Sequence, residues 1–311
     1  MPLSNAEKAI LVPLIFFDLF DRPLRPEIVY LLTYRTSLTR KRFDDVVEGL
    51  IERGLLMSRR GFLHLSDRPG LAENGILRER ISRELYEDAV QLVKKFTTVP
   101  FIKMIAAINS LAFWNAHHNS DIDLLVVTEP GKIAVARDHI NLLLTFWRRR
   151  NTRPPKRRKV AVDVMVDTLQ LDAMDWRQKP QDIYFEFWFA RLAPLIDRDS
   201  TYARLMNKNM WIRGVFPQFK PRDDFLIQSS EARDRQPSVW ERWYQTSLGQ
   251  RLGALMAYKQ RYRLKNYQAR IGKQGLVVVK PHLLRFHVPD RRAEYQEQFE
   301  RRWKTVEELA L

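Results

Sequence analysis

Apolar positions along the chain recur with two periods, one helical and one of strands. Near the start, Asn5–Phe20 is apolar along most of its length. Pro26–Thr33 reads as a short helix with proline in its first turn, where the missing N–H has no partner to lose. From Leu38 to Arg53 the side chains Phe43, Val46, Val47, Leu50 and Ile51 recur at i, i+3, i+4, i+7 and i+8. That spacing predicts an amphipathic helix, with Ser37 or Thr39 as its cap. Gly54 stands where a left-handed C-terminal residue belongs. Leu55–Met57 and Phe62–Leu65 then flank the turn Ser58-Arg59-Arg60-Gly61 and read as a hairpin.

Past Asp67-Arg68-Pro69-Gly70 the two periods alternate. Ile76–Phe96 carries Leu77, Ile81, Leu85, Ala89, Leu92 and Phe96 on one helical stripe. Phe101–Ile108 predicts a strand. Asp121–Thr128 predicts another, and its unbroken apolar run Leu124–Val127 places it centrally in a sheet. Ile133–Trp147 has helical period. In Val160–Asp167 the valines 160, 162, 164 and 166 are expected on one face, and Ala161, Asp163, Met165 and Asp167 on the other. Helical pattern resumes near Gln181, and the remainder reads as helical with one strand, Leu276–Val279. The expected domains are 1–70, three helices and a hairpin in the order of a winged helix-turn-helix; 71–220, a mixed core; and 221–311, helical and basic. The expected fold class is α+β with an α/β-like core.

Charge and composition narrow the partners. There is no cysteine among the 311 residues, which excludes disulfides, thiolate metal sites and cysteine nucleophiles. Lys and Arg number 53 against 37 Asp and Glu, a net +16 that favours polyanions. Residues 221–311 hold 18 basic and 11 acidic residues, so the surplus does not sit in the N-terminal part. Arg148–Lys159 has eight basic residues and no acid, either a solvated loop or a clamp on nucleic-acid phosphates. In Trp240–Tyr267, Trp243, Tyr244, Tyr258, Tyr262 and Tyr267 alternate with Arg and Lys, a pattern for base stacking or for helix packing. The helix Leu38–Arg53 balances Arg40, Lys41, Arg42 and Arg53 against Asp44, Asp45, Glu48 and Glu52. That balance leaves open whether it meets DNA, docks on the core or supports a homodimer. No apolar run is long enough to span a bilayer, so no membrane association and a cytoplasmic location are expected.

The chemistry concentrates in Ile108-Asn109-Ser110-Leu111-Ala112 and Ser120-Asp121-Ile122-Asp123-Leu124-Leu125. Asp121 and Asp123, two apart in a strand, share a face. Carboxylates so placed repel unless a hard cation lies between them, and Mg²⁺ takes oxygen ligands. Asp163 on a neighbouring strand is the third candidate ligand. Asp167 is the alternative. The Asn109-Ser110 turn offers amides and a hydroxyl for phosphate. His117, His118 and His287 are further polar candidates, with solvated loop histidines the plainer reading.

This composite resembles the nucleotidyltransferase superfamily typified by DNA polymerase β, over about residues 80–170. The family signature is Gly-Ser, a spacer, Asp-x-Asp at a strand start, and a third Asp on a later strand. Ser110, Asp121, Asp123 and Asp163 take those places here. The whole layout resembles prokaryotic nucleotidyltransferase-like proteins with an N-terminal winged helix. The resemblance implies transfer of a nucleoside monophosphate from a triphosphate, with ATP expected, to an acceptor hydroxyl, using Mg²⁺ or Mn²⁺. It implies Asp121, Asp123 and Asp163 as catalytic metal ligands, and Asn109, Ser110 and Ser120 around the nucleotide. The family glycine is Asn109 here, the residue next most tolerant of left-handed backbone. Its side chain motivates the alternative of a catalytically degenerate module that regulates transcription through the winged helix.

Overall fold

The computed structural model describes residues 2–151, 158–177, 182–223, 237–272 and 275–310. The N-terminal part forms α1 (Asn5–Asp18), α2 (Pro26–Leu31), α3 (Arg40–Glu52) and the hairpin β1 (Leu56–Arg59) and β2 (Phe62–Leu65). The expected order of elements is present. Thr39 caps α3 by accepting from the Arg42 amide, and Gly54 has φ +70°. There follow α4 (Leu71–Lys95), β3 (Ile102–Ala107), α5 (Asn109–Ala112), β4 (Ile122–Thr128), α6 (Ile133–Phe146) and β5 (Val160–Asp167). Then come α7 (Ile183–Ala190), β6 (Ala193–Asp197), α8 (Thr201–Lys208) and α9 (Trp211–Val215). The C-terminal part holds α10 (Val239–Gln245), α11 (Ser247–Ile271), β7 (Leu276–Lys280), β8 (Leu283–His287) and α12 (Arg292–Leu309).

Six strands form one mixed sheet in the order β6-β3-β4-β5-β8-β7. Only β4 and β5 run parallel. The fold is therefore α+β, a mixed sheet flanked by helices. Two strands depart from the expectation. β6 lies in a stretch read as helical; it is a sheet edge, where Pro194 is tolerated because its missing donor breaks no ladder. The C-terminal part contributes a hairpin, β7–β8, where one strand was expected, and β8 extends the sheet through β5.

β5 departs from strict alternation as well. Leu124 pairs with Val162 and Leu125 with Val164, so Asp163 is the extra residue of a bulge. The bulge switches parity. Val164 and Val166 pack with Leu125 and Val127 against α1 and α7, while Val160 and Met165 pack with Leu124 and Val126 against α4 and α6. The four valines therefore do not share a face. Asp167 falls on the face opposite Asp163, fully buried, where it accepts from the amides of Gly131 and Leu169 and pairs with His282 at 2.7 Å.

The first layer is organised by α1, whose residues Ala9–Asp18 are all buried. Pro13 cannot donate to the Ala9 carbonyl four residues back. That carbonyl instead accepts the Tyr34 amide at 3.0 Å, tying α1 to the end of α2. Phe16 stacks on Phe187 of α7 at 4.2 Å between centroids and meets Phe113 edge-on. The N-terminal helices thus share one core with the sheet. Phe16→Ala should cost about 3–5 kcal/mol, as large-to-small changes do at fully buried aromatics. Denaturant unfolding followed by circular dichroism and tryptophan fluorescence should show one destabilised, coincident transition. An early, separate transition would show that the N-terminal unit is independent.

Candidate functional site

α5 starts at Asn109, directly after β3, with φ +54°. In this left-handed conformation its side chain turns back over the sheet. Nδ2 donates to Oδ2 of Asp123 at 3.0 Å and to Oδ2 of Asp163 at 3.3 Å. Oδ1 accepts from Trp188 Nε1 at 3.0 Å and from the Tyr184 hydroxyl at 3.3 Å. One amide therefore bridges carboxylates from two adjacent parallel strands and is held from behind by two side chains of α7. The Ile108 amide donates to the Asp123 carbonyl at 3.0 Å, fixing the turn to β4.

A cavity of about 260 Å³ opens here. Asn109, Asp121, Asp123, Asp163, Asn151 and Tyr184 line one side, and His287, Asp290, Arg291, Arg292 and Tyr295 from the β8–α12 segment line the other. Asn151 donates to Asp121 through Nδ2. Asp121, Asp123, Asp163 and Asn109 are thus brought together in one cavity. Ser110 and Ser120 do not line the cavity. The Ser120 hydroxyl accepts the His117 amide at 3.0 Å and closes the turn before Asp121. His117 and His118 are exposed in that turn, while His287 does line the cavity. Among the described residues, no three carboxylate or imidazole groups converge as a metal cage. Amides of Asn109 and Asn151 stand among the aspartates instead.

Apart from His287, the sequence did not point to the far wall. Arg292 is buried and paired with Asp182 and Asp290, both at 2.8 Å. Arg285 has its pKa pushed down to about 10, first by burial and then by Arg292. Burial, then Arg285 and Arg292, push His287 down to about 3, so it is neutral near pH 7. The Tyr184 hydroxyl is pushed far up by burial, then by Tyr295, Asp123 and Asp163. It stays protonated and remains a donor to Asn109. No short motif announces this wall. The signal is tertiary, the pairing of β8 with β5 and the stacking of Tyr295 on Tyr184 at 5.2 Å. Of the basic loop Arg148–Lys159, residues 152–157 lie outside the described residues. At its start Arg149 binds Asp88 with two hydrogen bonds, of 3.0 and 2.6 Å, and so has a structural partner.

Comparison with protein-family models, curated proteins and solved structures finds no match for the chain.

The His287 shift has a checkable sign. Its folded pKa lies below the unfolded value of 6.5, so the unfolded chain takes up the proton first as pH falls. Stability is full above about pH 6.5 and declines toward the folded pKa. Wild type should therefore lose stability between about pH 6.5 and 4 more steeply than His287→Gln. Denaturant midpoints across that range measure the difference, and parallel curves would contradict the assignment.

Proposed function

We propose that the chain is a metal-dependent nucleotidyltransferase, moving a nucleoside monophosphate from a triphosphate, ATP by expectation, to an acceptor hydroxyl. The observation that carries this reading is the shared amide. Asp123 and Asp163 come close enough for one Asn109 nitrogen to reach both, with Asp121 in the same cavity. All the acidic donors are oxygens, which suits Mg²⁺ or Mn²⁺. Asp121, Asp123 and Asp163, which do not converge as a cage while the Asn109 amide bridges two of them, would hold the cation once that amide withdraws. When bound, the cation would neutralise triphosphate charge and lower the pKa of the acceptor hydroxyl. The acceptor oxygen attacks the α-phosphorus, the bond to the bridging oxygen of the β-phosphate breaks, and pyrophosphate leaves. Asp163 would help activate the acceptor hydroxyl together with the cation. Ser120 acts through the turn that carries Asp121. Neutral His287 and protonated Tyr184 add polar contacts without adding charge.

A second reading rests on the same amide. Asn109 stands between the carboxylates where a cation belongs, and Trp188 and Tyr184 hold it there. A chain in which it never withdraws is a silent module with this fold. Its function then falls to the N-terminal unit, read as a winged helix with Arg40, Lys41 and Arg42 exposed at the start of α3.

Thermal unfolding with each of the four nucleoside triphosphates, with and without Mg²⁺, separates the readings. A ligand that binds only the native state stabilises it by about 2.7 kcal/mol at 100 times its Kd. Wild type should gain a magnesium-dependent rise that Asp121→Asn/Asp123→Asn loses. Asn109→Gly, which removes the bridging amide and suits positive φ, should retain or enlarge it. A rise in Asn109→Gly alone would favour the silent module. No rise in either would sink the nucleotide site.

A further inference from the structure

The face of α11 turned to solvent is not accounted for by the fold or by the cavity. Of its 25 residues only Gly249, Gln260 and Leu264 are buried. The helix carries Arg251, Lys259, Arg261, Arg263, Lys265 and Arg270, all exposed, and no acid. Tyr258 and Tyr262 are 72% and 63% exposed, one helical turn apart. Core packing, which does hold for Tyr244 against Phe101, does not explain these two tyrosines.

The apolar and basic groups on this face are not sorted. At about 100° per residue, Arg251 projects between Tyr258 and Tyr262, and Lys259 between Leu248 and Leu252. A helix lying in a membrane surface needs a separate apolar face. A second copy would set six cations against six. Cations interleaved with rings are what a single strand of nucleic acid takes, with its phosphates neutralised and its bases stacked.

The surface also runs toward the carboxylates. Arg137 of α6 has its pKa pushed down to about 10, first by burial, while Asp138 raises it and the nearby Arg150, and Arg263 of α11, lower it further. The Arg137 guanidinium lies over the Phe286 ring at 5.3 Å, and Phe286 lines the cavity. We propose that the outward face of α11, continued by Arg263 and Arg150, binds a single-stranded polynucleotide and leads its end past Arg137 to the carboxylate cavity. The binding surface stands by itself; its role as the acceptor track rests on the transfer reaction proposed above.

The test is fluorescence anisotropy on the full chain, with labelled oligo(dT) and oligo(rU) of about 20 nucleotides, long enough to cover such a site. Tyr258→Ala/Tyr262→Ala and Arg251→Gln/Lys259→Gln/Arg263→Gln change exposed positions, so circular dichroism should stay at wild type. The tyrosine pair should weaken binding about tenfold or more. The charge triple should reduce the slope of log affinity against log salt by about 2. The relative affinities of the two oligonucleotides distinguish DNA from RNA. Asp121→Asn/Asp123→Asn should bind like wild type. Full affinity in the tyrosine variant would overturn the proposal, as would equal binding of a blunt DNA duplex. So would binding to phosphatidylglycerol vesicles with none to either oligonucleotide. Oligonucleotide binding without nucleotide transfer would remove the acceptor role and leave the surface. Transfer to another acceptor without oligonucleotide binding would remove the surface and leave the reaction.

Discussion

Two carboxylates from neighbouring strands face one amide, and the geometry of the site follows from how that amide is held. Asn109 reaches Asp123 and Asp163 from a left-handed backbone, and Asp163 stands at the bulge after which β5 changes parity. Without the bulge, β5 would keep its parity past Asp163, and Val164 would not join the layer of Leu125. Trp188 and Tyr184 occupy the other end of the amide, so the nitrogen is directed at the acids and the oxygen away from them. Moving the nitrogen out requires breaking hydrogen bonds at both ends. Any cation or phosphate entering the cavity competes with that arrangement.

The rest of the chain holds the pieces in register. α7 carries Trp188 and Tyr184, and α1 fixes α7 through Phe16 on Phe187. α12 closes the other side and is tied back to the N-terminal unit. Arg302 binds Asp18 at 2.9 Å and Asp67 at 2.7 Å, and Arg53 donates to the Ala310 carbonyl at 2.9 Å. Burial pushes the Asp18 carboxyl up, and Arg302 and Arg68 offset part of that cost. Residues from the first and last helices therefore meet on one face of the sheet, in the same core layer as α7.

Local periodicity made much of this legible. The stripe Phe43, Val46, Leu50 located α3, and the valines of β5 marked its ends at Val160 and Asp167. The spacing of Asp121 and Asp123 placed both in one cavity. What escaped was non-local. A bulge is invisible in an alternating run, because the extra residue is defined only by the register of β4 beside it. β6 is short, holds Pro194 and follows an aromatic helix, so nothing local separates it from helix. β8 gains its place from β5, and through it His287, Arg291 and Arg292 reach a cavity whose opposite wall, from Asn109 to Tyr184, lies more than about 100 positions earlier. Asn109 was legible as a tolerant residue in a tight turn. Its bridging role was not, since Trp188 and Tyr184 come from a distant helix.

The most direct test follows the phosphorus. The purified chain is incubated with each nucleoside triphosphate labelled at the α-phosphate, with Mg²⁺ or Mn²⁺ and a single-stranded oligonucleotide, beside the Asp123→Asn protein. The account predicts release of pyrophosphate and covalent label on the acceptor, both lost in the variant. Absence of pyrophosphate with all four nucleotides, from a chain that unfolds cooperatively, would contradict it.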